Sequence, residues 1–516
     1  MKELRIQAID DVLKSKYKKI TPAFKDSFKA SMIVGLIAHM YMFTNKLPNY
    51  DDIGLNGIGA TFRLGRWFLW FLGAVANHLE LLYSIPWING LFTIFMIALS
   101  AGIVSEVLQI KSKVANFMVG AFMVAFPSWT ATMFFMFTAP YYGLALFMAC
   151  LSIFLAWQCN NRKWHMIAPL FLACSLGIYQ AYITFVATLY VILLIMKLVE
   201  ERENWIKVIR DTVYCLVQLL VAGVIYYLIM KLSLYLTHQE LASYKGMDSM
   251  GSLSIEGIQN FINTILTDFF GIFLNNNLEL SYSIILKGMY SILFIISTVL
   301  LMKLFYGLVI GKKYSLAIEL VVFVIAYVIS INSIYLLCQD GVYSLVRFAY
   351  VCLIIFPICL IDRTRCNTRN IMEWILMISL FVGIGSYCHY ANGQYLSIQL
   401  SFDQAYSYYN TIITQVKSLD GYHTDMPVTF VGYGNISDES LYKNEVMEVF
   451  NISGRDDILA QTYNLGDFLR YYCGFDVEFI DIDVEKYPEI VQMEIYPEKN
   501  SIGIVENMVV VKLAEN

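Results

Sequence analysis

The sequence predicts an α-helical polytopic membrane protein of about 11 transmembrane helices with a C-terminal extracytoplasmic α/β domain. Three observations carry that reading. The 516 residues are 58% hydrophobic and only 15% charged, whereas soluble domains carry roughly 25% charged residues. Such a chain cannot cover a water-facing surface of ordinary polarity, which excludes a soluble multidomain protein. Apolar runs of about the 20 residues needed to cross a bilayer recur along the first three quarters of the chain. The charge is also split: residues 392–516 hold 20 acids against 7 bases, and the remainder holds 21 acids against 29 bases.

Taken in order, residues 1–27 form a Lys-rich cytoplasmic start. The membrane domain spans 28–391, with a first outer loop at 45–85, and the acidic domain spans 392–516. No cleavable signal peptide is expected, because the first apolar run is followed by an acidic loop and not by a small-residue cleavage site. The expected spans are 28–44, 86–110, 115–136, 138–159, 165–178, 180–198, 212–236, 284–310, 315–337, 343–361 and 371–391. The run at 66–85 is ambiguous, and sidedness settles it. Lys and Arg gather in short cytoplasmic loops. Treating 66–85 as an interfacial helix leaves Lys14 to Lys25, Lys111, Lys113, Arg162, Lys163, Lys197 to Arg210, Lys312, Lys313 and Arg363 to Arg369 on one side. That sets the N-terminus inside and the tail outside. In the tail, 403–419 and 464–473 read as helices, while 428–432, 477–482 and 502–512 read as strands, the last a hairpin around Glu506-Asn507. Six of the cysteines lie within apolar runs and serve as small hydrophobes.

Three polar clusters collect on the expected outer side. Asn49-Tyr50-Asp51-Asp52 follows the first span. Paired carboxylates can do acid/base work, one taking a proton while its neighbour orients it or shifts its pKa. The bland role is a helix cap. Arg63 and Gly65-Arg66-Trp67 offer planar guanidinium forks suited to phosphate, although interfacial anchoring beside Trp67 is a common use of such residues. Arg347 lies in the apolar run 343–361. A membrane-buried arginine by default marks a site with an anionic partner, snorkelling to headgroups being the alternative. Tyr179 and Gln180 sit in the turn between the two short spans, where they would line a sugar pocket or belong to the interfacial aromatic belt. There is no GxxxxGK[ST], HExxH, GxSxG or CxxC motif and no nucleic-acid patch.

The order of these features resembles the type II glucosyltransferase family of bacterial and phage surface-polysaccharide modification, within the GT-C superfamily. The resemblance rests on Asp51-Asp52, Arg63, Gly65-Arg66-Trp67, Pro86-Trp87, Pro127-Ser128-Trp129, Gly177-Ile178-Tyr179-Gln180-Ala181-Tyr182, Arg347 and Pro427-Val428-Thr429-Phe430-Val431-Gly432. It covers nearly the whole chain. It implies an integral membrane glycosyltransferase of the bacterial inner membrane. Such an enzyme takes a hexose, by the family name glucose, from a polyprenyl phosphate and passes it to an extracytoplasmic cell-surface polysaccharide such as an O-antigen. Asp51 or Asp52 would be the base, Arg66, Arg347 and Arg63 the donor-phosphate ligands, and Tyr50, Tyr179, Gln180 and Trp67 the sugar or acceptor contacts. A single displacement would invert the anomeric centre. No cofactor is expected, and no metal, since the loop offers one acidic pair and leaves a divalent ion under-coordinated. Glu80, Glu279 and Asp340 are further outer-side carboxylates bearing on that expectation. A transporter or flippase of lipid-linked saccharide is the alternative. It would call for half-repeats or charges near the bilayer midplane, and the sequence shows no repeat. A membrane-anchored binding protein, with its function in the tail, is the third reading.

Overall fold

The computed structural model describes residues 17–48, 51–54, 57–59, 61–200, 204–242, 255–274, 279–337, 342–364, 369–432 and 464–515. Several long helices begin where the sequence supplies a cap or a proline for the first free N–H groups. Thr21 accepts from Phe24 N at 3.2 Å and Pro22 occupies the first turn of α1 (Pro22–Thr44). Trp67–His78 forms α2 and Pro86–Val107 forms α3, the latter again opened by proline. Ser112 caps α4 (Lys113–Ala125), which then breaks. Pro127 pushes Phe126 into extended backbone, and α5 (Pro127–Met133) restarts at an angle. The expected 115–136 run is therefore a broken helix, and the break carries Trp129 into the interior, where it is 1% exposed.

The chain continues through α6 (Ala139–Trp157), α7 (Arg162–Leu176), α8 (Tyr182–Glu200) and α9 (Trp205–Thr237). Next come α10 (Ile255–Leu274), α11 (Ile284–Ile310), α12 (Tyr314–Asn332), α13 (Cys352–Arg363) and α14 (Arg369–Lys417). Among the described residues, eight helices are long and apolar enough to cross a membrane. The expected spans at 28–44, 165–178 and 343–361 coincide with α1, α7 and α13, which fall outside that group, so a count of eleven is not confirmed. The protein is a mostly helical, multi-pass membrane protein. Helix α1 packs on α3 and α4, α3 on α6, α6 on α7, and α8 on α12. Rows of exposed Leu and Ile on α9, α11 and α12, such as Leu220, Leu228, Ile295 and Ile325, face outward as lipid-contacting surfaces do.

Helix α14 has 49 residues, about 70 Å at 1.5 Å per residue. That is more than twice a hydrocarbon core. The expected boundary at 391/392 lies inside this helix. Its last turns carry Ala405, Tyr409, Ile412 and Val416 into the apolar core of the tail. There, β1 (Val428–Val431) runs parallel to β3 (Met508–Lys512), and β2 (Ile502–Val505) pairs antiparallel with β3. The β2–β3 turn falls on Glu506 and Asn507, both at positive φ, as a two-residue hairpin of this twist requires. Helix α15 (Leu465–Tyr471) lies where a helix is expected. The stretch at 477–482 differs from expectation: it touches β1 through one bridge, Val428 with Phe479, and does not extend as a strand.

Candidate functional site

Three groups of polar side chains stand at the end of the bundle that carries the tail. The first is the loop after α1. Its two adjacent aspartates are separated by burial: Asp51 is exposed and Asp52 is 1% exposed. Lys46 holds Asp52, with Nζ 3.1 Å from Oδ2 and donating to the backbone carbonyl at 3.0 Å; Ser84 Oγ lies 3.4 Å from the same Nζ. Burial pushes the Asp52 carboxyl up to about 6, and the Asp51 charge adds to the rise, while Lys46 and Ser84 oppose it. The next residue, Ile53, is fully buried in the apolar core of the tail. Tyr50 lies outside the described residues.

The second group is built on the turn before α2. Residues Phe62–Leu64 make one 3-10 turn, closed by Gly65 N donating to Phe62 O at 2.9 Å and Arg66 N to Thr61 O at 2.9 Å. Gly65 has φ +69, and a Cβ there would stand 2.5 Å from Tyr226 Oη. The turn needs glycine for both reasons. Gln180 Nε2 donates to Leu64 O at 2.6 Å and lies 3.0 Å from Tyr226 Oη. Its amide thus fastens the turn. Phe68 N and Leu69 N both donate to Gly177 O, at 2.9 and 3.0 Å, and the Trp67 ring lies over Gly177 where a side chain would collide. Arg66 is set over the rings of Tyr179 and Tyr142, 5.7 and 5.8 Å from their centres. Tyr179 is buried and stacked on Tyr142 at 4.3 Å. Arg63 is exposed, its carbonyl accepting from Ala242 N at 2.9 Å.

The third group surrounds Arg347, between the 3-10 turns Ser344–Val346 and Phe348–Val351. Arg347 Nη2 donates to Tyr335 Oη at 2.9 Å and to Val342 O at 3.1 Å, and lies 3.8 Å from Asp268 Oδ2. The hydroxyl of Tyr335 donates to Asp268, and that of Tyr350 lies 3.2 Å from the same carboxylate and 2.5 Å from Asn332 Oδ1. Burial pushes the Glu279 carboxyl up to about 7, opposed by the nearby Arg347 charge. Arg347 Nε is buried and has no hydrogen-bond partner among the described residues. Asp340 lies outside the described residues.

The structure thus brings Arg66, Trp67, Tyr179 and Gln180 into one cluster and sets Arg347 in a neighbouring one. The two adjoin through Tyr182, whose ring lies 6.0 Å from Phe348. Sequence reasoning missed Asp268, Tyr335 and Asn332. The apolar residues Ile258, Ile262, Leu266, Phe270 and Leu274 recur every fourth position and mark 255–274 as an amphipathic helix, but no spacing links Asp268 to Arg347, 79 positions on.

An apolar groove leads into this third group. It runs between α10, α11, α12 and α13, is walled by residues such as Phe269, Phe273, Leu293, Thr298 and Phe356, and has a cavity volume of about 220 Å³. Asn332 and Tyr350 also line it, so its polar end is the network that holds Asp268.

Residues 40–361 match the family described as glucosyl transferase GtrII. The chain belongs to this family. The match takes in the aspartate pair, the Arg66 turn, both sides of the Asp268–Arg347 pair and the groove, and it makes the protein a glycosyltransferase. No curated protein and no solved structure matches the chain.

Proposed function

We propose that this GtrII-family protein transfers glucose from a polyprenyl-phosphate donor to an extracytoplasmic polysaccharide, with inversion at the anomeric carbon. The observation that carries the proposal is the apolar groove whose polar end, Asn332 and Tyr350, joins the network of Asp268 and Arg347. An isoprenoid phosphate has the same two parts: a long apolar chain and an anionic head. The chain would lie against Phe269, Phe273 and Leu293, and the phosphate would meet Arg347. Before the donor arrives, Asp268 and Glu279 balance the arginine, which spares the fold an uncompensated buried charge. Arg66, held over Tyr179 and Tyr142, is the second cation; Arg63, which is exposed, is a peripheral one.

Asp51 is assigned as the base, since it is the exposed member of its pair and a base must reach the acceptor hydroxyl. Asp52 is its holder and its electrostatic neighbour. The acceptor oxygen attacks the anomeric carbon as the bond to the phosphate oxygen breaks. The bonding pair leaves on the phosphate, and the acceptor proton passes to Asp51. Arg347 offsets the charge that develops on the leaving group, a role in which one donor contributes about 3–4 kcal/mol. Trp67, Tyr179, Gln180 and Tyr50 remain the assigned sugar side. For Tyr179 and Gln180 this works through the shape of the Arg66 turn, since both are engaged within the protein.

The test uses membranes supplied with radiolabelled undecaprenyl phosphate glucose. Asp51→Asn should lower transfer by about 10²–10⁴-fold and Arg347→Gln by about 10²–10³-fold, with both proteins present at normal levels. Full activity in Asp51→Asn would remove the base. NMR of the product should show the anomeric configuration opposite to that of the donor.

A further inference from the structure

We propose that the tail domain is a positioning device for the aspartate loop, acting through Ile53. The inference rests on the reading of Asp51 as the base. Its ground is how the loop is held. Three consecutive residues go to three different surroundings: Asp51 to solvent, Asp52 to Lys46, and Ile53 into a core that otherwise belongs to the tail. That core is made by Tyr409, Ile412, Phe468 and Leu469, and Ile53 is its one contribution from the loop among the described residues. Two residues of loop are thereby fixed at one end by a cation of the membrane domain and at the other by the tail.

Tyr472 packs against the same core. Its ring is boxed by Phe402 of α14, with centroids 5.3 Å apart, and by Phe468 of α15, at 5.5 Å. Its hydroxyl is buried without a hydrogen-bond partner among the described residues. It lies close enough to Asp52 for that carboxylate to oppose its ionisation, in addition to the larger effect of burial. Among the described residues, the titratable groups around Asp52 include Lys46 and Asp51 from the loop and Tyr472 from the tail, with the Ser84 hydroxyl beside them. Because the long helix α14 is shared by the bundle and the tail core, the grip on Ile53 is rigidly referred to the membrane domain. A loop held by both bodies presents Asp51 in one place. Released at Ile53, it would keep its chemistry and lose its aim, and a misplacement of about 1 Å can cost 10²-fold.

The experiment compares two cavities in one core, using the full chain in membranes with radiolabelled undecaprenyl phosphate glucose. Ile53→Ala should lower kcat about tenfold or more, with Ile53→Val restoring most of it. Ile412→Ala, on α14 in the same core, should lose comparable thermal stability and keep its kcat. Equal losses of kcat in Ile53→Ala and Ile412→Ala would overturn the proposal. An active Asp51→Asn would instead remove the base assignment and leave the comparison of the two cavities standing.

Discussion

Asp52 is a carboxylate kept at a cost. Its pKa in the fold is raised to about 6 from 3.8, so the folded state binds a proton more readily than the unfolded chain. The sign follows: stability from this group is present at low pH and is lost as pH rises through about 4 to 6. At neutral pH the ionised side chain therefore weakens the fold, a feature associated with functional sites. Asp52→Asn should leave the melting temperature at neutral pH unchanged or higher, while lowering transfer. In the unmodified protein, transfer should fall as pH drops below about 6, where Asp52 takes up its proton and the charge beside Asp51 is lost. A pH–activity series on both proteins checks this; an acid limb that persists unchanged in Asp52→Asn would assign it to another group. The aspartate pair itself was legible in the sequence. Which member is buried was not, because Lys46 and Ser84 meet at Asp52 only when the loop folds back against the segment before α3.

Among the elements, the turn at 61–66 shows how a short motif is made to hold a shape. Gly65 supplies the positive φ, Gln180 bonds the turn from the loop before α8, and Tyr226 of α9 closes the space where a side chain would stand. Gly65→Ala would add strain on the order of 1–3 kcal/mol and push the turn off Tyr226. If Arg66 contacts the donor phosphate, KM for the donor should rise about tenfold, equivalent to roughly 1.4 kcal/mol, with a smaller change in kcat. An unchanged donor KM would confine Arg66 to anchoring. The sequence placed Gly65, Arg66, Trp67, Tyr179 and Gln180 on one side of the membrane. It did not show that Gln180 is spent on the backbone of Leu64, since 116 positions separate them.

Across the whole molecule, the groove and the tail divide two tasks. The groove between α10 and α12 is open and apolar, with the Asp268–Arg347 network at its end; the tail carries the grip on the aspartate loop. Filling the groove should therefore affect the donor alone. Ser297→Trp, which projects an indole from α11 into the groove, should raise donor KM about tenfold or more without loss of stability, since a cavity is filled and no buried bond is broken. An unaltered KM would put the isoprenoid chain elsewhere. Helix α10 is the element that the apolar runs left out, because its polar residues interrupt every window of spanning length. Its fourfold apolar stripe was present all the same.

By itself the sequence determined the membrane body, most of its helices, the β2–β3 hairpin and the family to which the chain belongs. These are written in local properties: run length, period, caps and motif order. Tertiary structure alone decided which aspartate is exposed, which carboxylates face Arg347, where the groove runs, and that Ile53 belongs to the core of the tail. Each of those is a meeting of residues far apart in the chain, and burial, which sets both their charge state and their access to substrate, exists only once the helices have packed.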